Sequence, residues 1–423
     1  MSPNDDHVDV AIVGAGPAGL AAAHALTGTG LRTVLLDAGK PVWSRDRHVG
    51  TDVTRGIGGA GLFSDGKFSF YPSASQLWSL SDGDRLRAAY DWTSGVLREA
   101  GLDAAPFPES PEAYTAAAGE WVLKAYPSDY LSLDARLALT QRLVDAVDAE
   151  VRTETELVHA AYAAGSDVFN LDVRGPGGDG ALSARRLVLA TGRFGPLRLS
   201  ELIGERVWRR LEVGFRIEQP AGLAFFADSD QLDPKLRFGD ADGSVEWRTF
   251  CACRQGEAVM TETDGLWTVS GRADCPPTGR SNIGFNTRVL DEALAVRSLP
   301  HLLKALADDA NRFDEPLLGL LDGVPSTQAV LDRVYGEELC ALMRRGVQHL
   351  VRRYPGVLDE RTRMVGPTLE GVGWYPTVDG RLRLRDAPAV IAGDGCGLFR
   401  GIVAAMVSGH YAASGLATEV PAR

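Results

Sequence analysis

Apolar positions fall into runs, alternations and helical stripes, and the order of these patterns outlines the fold. The run Val8 to Val13 is apolar at every position but Asp9, as in a strand covered on both faces. It stops at Gly14. From Pro17 the Ala-rich stretch Ala18 to Leu26 predicts a helix, Gly28 and Gly30 end it, and Thr33-Val34-Leu35-Leu36 predicts a second buried strand. Between residues 73 and 150 the spacing turns helical, with Leu77, Leu80, Leu86, Trp92, Val96 and Leu97, then Leu131 to Val147, broken by the Pro-rich stretch Pro106 to Pro111. Val151 to Val173 predicts strands around a turn at Gly165, Gly175 to Gly180 a loop, and Arg186 to Ala190 a buried strand running into Thr191-Gly192.

Alternation then dominates. Val213 to Ile217, Ser244 to Cys253 and Leu266 to Arg272 predict antiparallel strands, with tight turns at Asp242-Gly243 and Asp264-Gly265. Residues 291 to 354 predict helices, and Ala389-Val390-Ile391-Ala392 a last buried strand into Gly393-Asp394, followed by a C-terminal helix. A chain of 423 residues exceeds what one core usually supports. The expectation is two domains, the first from 1–72, 149–200 and 370–423, the second from 73–148 and 201–369.

Composition narrows the class. With 45% apolar and 24% charged residues and no apolar run long enough to span a bilayer, the chain predicts a globular protein. A net charge of −12 disfavours nucleic acid, whose phosphates need a cationic surface. The polar stretch Met1 to His7 lacks the apolar core of a secretory signal, so a cytoplasmic location is expected. Cysteines 251, 253, 275, 340 and 396 show neither zinc-site spacing nor a disulfide framework, and thiols and no metal are expected.

Gly14-Ala15-Gly16-Pro17-Ala18-Gly19 lies between the first strand and the helix. There the glycines make the turn, admit a pyrophosphate to the backbone and let helix pack on sheet. Asp37 ends the second strand, where a carboxylate accepts from ribose hydroxyls. The pattern is that of a dinucleotide site.

Three further segments carry a resemblance. Arg55-Gly56-Ile57-Gly58-Gly59-Ala60-Gly61-Leu62-Phe63-Ser64, Leu187-Val188-Leu189-Ala190-Thr191-Gly192 and Val390-Ile391-Ala392-Gly393-Asp394, with the first unit, resemble FAD-binding proteins built like glutathione reductase and p-hydroxybenzoate hydroxylase. The resemblance implies an α/β fold, with a Rossmann-type FAD-binding domain and a discontinuous second domain of mixed sheet and helices. It implies FAD as cofactor, with Arg55, Gly58 and Gly59 near the pyrophosphate, Ala190, Thr191 and Gly192 passing the dinucleotide, and Gly393-Asp394 at the ribityl chain. The helix starting near Arg400, Gly401 and Ile402 would present its N-terminus to the flavin pyrimidine. Ala38, Arg45 and Leu157, beside these segments, join the expected cofactor set. More narrowly, Gly58 to Lys67 and Thr249-Phe250-Cys251-Ala252-Cys253 resemble bacterial proteins described only as FAD-dependent dehydrogenases. The chain departs from them after Cys253, where Arg254-Gln255-Gly256 replaces a Pro-Gly-Gly run.

Candidate chemistry beyond the cofactor rests on fewer signals. Ser64, Asp65 and Lys67 follow the paired glycines, and Lys67 would stabilise a reduced flavin as a cation. Cys251 and Cys253, two apart on a strand, would share one face, toward a core or a pocket. Arg248, Arg254, Arg272 and Arg280 are surface arginines or anchors for a substrate carboxylate, and Trp374 and Tyr375 pack in a core or wall the pocket. Lys67, Cys251, Arg254 and Tyr375 are the catalytic candidates. No second G-x-G-x-x-G unit follows Gly192, which disfavours a two-dinucleotide reductase. The expected activity is a dehydrogenase or oxidase that moves a hydride from a small organic substrate to flavin. The alternatives are an NAD(P)H-dependent monooxygenase, a double-bond reductase, or a non-enzymatic flavin-binding redox sensor.

Overall fold

The structure, a computed structural model, describes residues 7–110, 119–199 and 204–419. Met1 to Asp6, Pro111 of the Pro-rich stretch and the extremes of two expected domain segments, 200–203 and 420–423, lie outside them. The chain forms two compact units, one of residues 1–113, 126–207 and 374–423, the other of 114–125 and 208–373.

The first unit is built on a seven-stranded sheet. His7–Val13 lies between Thr33–Leu36 and Gly178–Leu189, parallel to both, and Ala389–Ile391 runs parallel to the end of the long strand Gly178–Leu189. Glu156–Ala163 and Val168–Gly175 extend the sheet as an antiparallel meander. The expected loop 175–180 is therefore a tight hairpin, its ends paired at Gly175 and Gly178. Val10, Ala11, Ile12, Leu187 and Val188 are fully buried, as strands covered on both faces must be.

Helix Pro17–Leu26 packs on helix Ile402–Ala417 at close range, because Gly409 lets the backbones meet: a Cβ there would lie 2.0 Å from the Ala18 carbonyl oxygen. Helix Gly83–Glu99 joins this pair and corrects the expected domain split, which gave residues 73–148 to the second domain. Trp92 stacks on His410 and meets the tilted ring of His24, each at 4.8 Å between ring centroids, and the Asp82 N–H donates to the Tyr411 hydroxyl. An amphipathic helix announces a buried face but not its partner.

The second unit's sheet is antiparallel, in the order Phe313–Pro316, Arg363–Pro376, Arg206–Pro220, Arg280–Val289, Val245–Cys253, Lys235–Gly239, Val122–Lys124. The strands at 313–316 and 363–376 were not expected. One face is apolar and covered by helices Pro325–Tyr335 and Glu337–Arg353. Trp247, wholly buried, sits over Gly346 and donates from Nε1 to the Leu342 carbonyl at 3.1 Å. The other face is polar: Glu212, Arg288 and Glu246 stand side by side in register, as do Asn286, Arg248 and Arg237. The turn at Asp264-Gly265 has positive φ at both residues, +54° and +79°, as a two-residue hairpin requires.

Candidate functional site

Four glycine-bearing segments converge at the carboxyl edge of the first unit's sheet. Gly14 has φ +98°, and a Cβ there would lie 2.4 Å from the Ala190 carbonyl oxygen, so the turn is open to glycine alone. Gly19 passes over it, with a Cβ position 1.8 Å from the Gly14 oxygen. The loop at 56–61 lies against the same turn. Gly58 donates its N–H to the Ala15 carbonyl at 2.8 Å, Gly59 sits 3.0 Å from the Gly16 Cα by its Cβ position, and Gly61 sits 3.1 Å from Ile402 Cγ1. Gly393 reaches Ala18 in the same way, 3.2 Å from its Cβ, and Gly395 lies 3.3 Å from the Gly192 oxygen. Space beside Gly192 and Gly401 is open to 4 Å. The result is a close-packed junction of backbone turns with open space beside Gly192 and Gly401, and glycine backbone of this kind is what a pyrophosphate needs for close approach.

Charged groups are fixed around that junction. Asp37, buried at the end of its strand, accepts from the Ala15 N–H at 2.7 Å and the Gly39 N–H at 2.8 Å, which ties it to the first glycine turn and keeps lone pairs for further donors. Ala38 follows it, half-buried. Leu157 is the second residue of strand Glu156–Ala163, two residues past Thr155, whose N–H donates to the Asp37 carbonyl at 2.8 Å. Asp394 and Arg400 form a two-point ion pair of 2.7 and 3.2 Å. That pair flanks the start of helix Ile402–Ala417, whose N-cap, Gly401, offers no side-chain cap, so the helix's partial positive end stays available to an acceptor.

Other expected cofactor residues take supporting positions. Arg45 lies beneath the 52–59 loop and spends its donors on the carbonyls of Asp52, Val53, Ile57 and Gly59 at 2.6–3.2 Å. Burial pulls its guanidinium down to about 10, against the opposing fields of Asp37 and Asp52. Arg55 lies 3.9 Å from Glu156. Ser64 accepts from the Gly66 N–H and donates to the Gly61 carbonyl, so its hydroxyl closes its own loop. Arg136, buried and absent from the sequence reading, holds the same loop by donating to the Ser64 carbonyl at 2.9 Å; no local pattern marks it.

The catalytic candidates fare differently. Lys67 is neutralised by Asp65 at 2.8 Å, both side chains under 8% exposed, so its charge is not free to act as expected. Tyr375 is buried, its ring filling the space over Gly397 where a Cβ would come within 2.3 Å; it is a core residue. Arg254 donates to the carbonyls of Ala227, Ser229 and Gln231 at 2.9–3.1 Å and lies over the Phe226 ring, so it organises a loop and does not present its fork to a substrate. Cys251 and Cys253 bring their Sγ atoms within 4.8 Å of each other, as expected of two thiols on one side, although the strand between them is not regular. The ladder shifts between Phe250 and Cys253, an extra residue against Gly284 and Asn282, and Cys251 takes φ +51° within the bulge. Arg248, Arg272 and Arg280 pair with Glu212, Glu257 and Glu218.

Residues 7–53 match the model of a family described as FAD binding domain. With the strand–helix–strand unit and the glycine turns, this marks the first unit as carrying an FAD-binding domain. No curated protein matches the sequence. Among solved structures the chain is similar to BexE, studied for oxidation during BE-7585A biosynthesis, with 14% identity over 94% of this chain and 60% of that one, TM-score 0.38. It is similar to the anhydrotetracycline hydroxylase OxyS from Streptomyces rimosus, with 15% identity over 98% and 64%, TM-score 0.40. A flavoprotein/dehydrogenase from Cytophaga hutchinsonii gives 12% identity over 98% and 80%, TM-score 0.38. The chain spans under two thirds of the length of the first two. No helix among the described residues is long and apolar enough to cross a membrane.

Proposed function

We propose that the protein is a dehydrogenase or oxidase acting on a small organic molecule. Two observations support this choice: against a two-dinucleotide reductase, a single glycine-rich strand-to-helix turn is present among the described residues, at Gly14 to Gly19, and the second unit's sheet is antiparallel; against a monooxygenase, which needs no separate nucleotide domain, Gly395-Cys396-Gly397 stands after Asp394 in place of an Ala-Ala-His string. In this reading the electrons come from the substrate. FAD, when bound, supplies the two-electron chemistry, which in this reading is acceptance of a hydride.

The chain's own part is to hold and polarise. Asp37 would take the adenosine ribose hydroxyls, and the N–H groups of the Gly14–Gly19 turn with the 56–61 loop would take the pyrophosphate. Asp394 would take the ribityl hydroxyls while Arg400 holds it in place, and the N–H groups opening the helix at Ile402 would favour negative charge on the flavin pyrimidine. The test is the visible spectrum of the purified protein under anaerobic conditions. A flavin band that persists with NADPH and bleaches with an organic substrate supports the reading. Rapid bleaching by NADPH alone replaces it with a monooxygenase or double-bond reductase, and a flavin-free protein overturns it.

A further inference from the structure

Inside the second unit's sheet two thiols and a cation come together at a break in the ladder. Strand Val245–Cys253 pairs with Arg280–Val289 in regular register as far as Phe250 and Gly284, and next at Cys253 and Asn282, so Cys251 and Ala252 stand against the single residue Ile283. Cys251 takes φ +51°, a left-handed conformation that a residue with a side chain keeps only where its surroundings impose it. In a straight strand, Cα atoms two residues apart lie about 6.6 Å from each other, within the roughly 4.4–6.8 Å that a disulfide spans. A bulge bends its strand and re-aims side chains. Here both cysteines are present as thiols, and their Sγ atoms lie within 4.8 Å of one another.

A buried cation serves this pair. Arg216, 1% exposed, donates from Nε to the Asn282 Oδ1, and from Nη2 to the Cys251 carbonyl at 2.5 Å and the Cys253 Sγ at 3.6 Å. Gly271 keeps room for both groups, since a Cβ there would lie 2.7 Å from the Cys253 Sγ. A sulfur that accepts from a guanidinium is favoured as the thiolate, the form that attacks. The two thiols also differ in access, Cys251 being half-buried and Cys253 wholly buried. Cys340 is the contrasting case: burial, and after it the Asp332 carboxylate, push its thiol up, as befits a sulfur that only packs.

We propose that Cys251 and Cys253 are a redox-active pair, closed to a disulfide by a hydroperoxide and reopened by a small thiol. Cys251, the thiol within reach of solvent, attacks one oxygen of hydrogen peroxide as its thiolate. The O–O bond breaks, water leaves with the proton the thiol gave up, and Cys251 becomes a sulfenic acid. The Cys253 thiolate beside Arg216 then attacks the Cys251 sulfur, the S–S bond forms, the S–O bond breaks, and a second water leaves with the second thiol proton. The thiols lose an electron pair and the peroxide gains it. Exchange with a small thiol, itself oxidised to its disulfide, returns the pair to its first state. Both cysteines and Arg216 belong to the second unit, so the pair stands whether or not the redox reading of the first unit holds.

Arg248 and Arg254 bound the segment between them, so trypsin releases both cysteines in one peptide, 249–254. The FAD-loaded protein is treated with hydrogen peroxide, unfolded in urea with iodoacetamide, digested, and that peptide read by mass spectrometry. Without peroxide it should carry an alkyl group on each cysteine. After peroxide it should carry none and be lighter by two hydrogens than the bare peptide, and dithiothreitol before alkylation should restore the first result. Single variants give the order of events: Cys253→Ser should leave a Cys251 sulfenic acid that dimedone traps, and Cys251→Ser a Cys253 that dimedone leaves unlabelled at the same dose. Arg216→Met should slow closure roughly tenfold, seen as dimedone-labelled Cys251 in protein that keeps both cysteines. A peptide still alkylated on both cysteines after peroxide overturns the proposal, as does a disulfide from either cysteine to one outside the peptide. Labelling of Cys253 in place of Cys251 overturns the assigned order. The unsubstituted protein carries the main test even where a variant fails to fold.

Discussion

Asp394 and Arg400 hold each other by two hydrogen bonds across the turn that leads into the C-terminal helix, at 2.7 and 3.2 Å. This arrangement fixes a carboxylate near the open backbone of Gly192 and Gly401 and anchors the helix entry; in the proposed function the same carboxylate takes the ribityl hydroxyls.

The consequence is testable on cofactor retention. Asp394→Ala removes charge-assisted hydrogen bonds of about 1.5–3 kcal/mol, so FAD should bind roughly ten- to a hundredfold more weakly. The ratio of flavin to protein absorbance after gel filtration measures it. A variant that stays fully loaded would place the ribityl chain elsewhere.

Much of the cradle was legible because glycine at a strand end encodes geometry locally. Gly14, Gly19, Gly58, Gly59 and Gly393 each occupy a place where a Cβ would strike a neighbour or where φ is positive. The rest depended on distant partners. Helix Gly83–Glu99 shows a buried stripe in sequence, but only the rings of His24 and His410 reveal that the first unit covers it. Arg254 reads as a free cation until the carbonyls of a loop more than twenty residues away claim it. The bulge at Cys251 leaves no trace in the alternation, because one inserted residue looks the same as a continued strand.

Arg45 should prove a structural residue on which cofactor binding depends. Its planar fork serves four backbone carbonyls of the 52–59 loop, and the single ammonium of Arg45→Lys cannot reach them together. Buried acceptors left without donors cost about 1–3 kcal/mol each. The variant should lose about 3 kcal/mol or more, seen as a lower Tm, and release FAD more readily. An unchanged Tm would show that the loop holds its shape without the guanidinium.

His410 sets a pH dependence of stability. Its ring stacks on Trp92 at 4.8 Å and 26°, with the His24 ring 4.8 Å from the same indole at 44° and the Ser414 hydroxyl 3.3 Å from Nδ1. Burial, helped by the field of His24, pulls the imidazole down to about 4 from its ordinary 6.5. Between those values the unfolded chain binds a proton that the folded chain does not. Stability is therefore fully present above about 6.5 and is lost as pH falls toward 4, by about 3 kcal/mol from this group. His410→Phe keeps an aromatic ring on Trp92 and removes the titration. Thermal melts across that window should show a fall in Tm for the wild type that is visibly shallower for His410→Phe, other titrating groups being common to both. Parallel curves would mean that His410 takes up its proton at the same pH folded and unfolded, so that the three-ring cluster tolerates the charge.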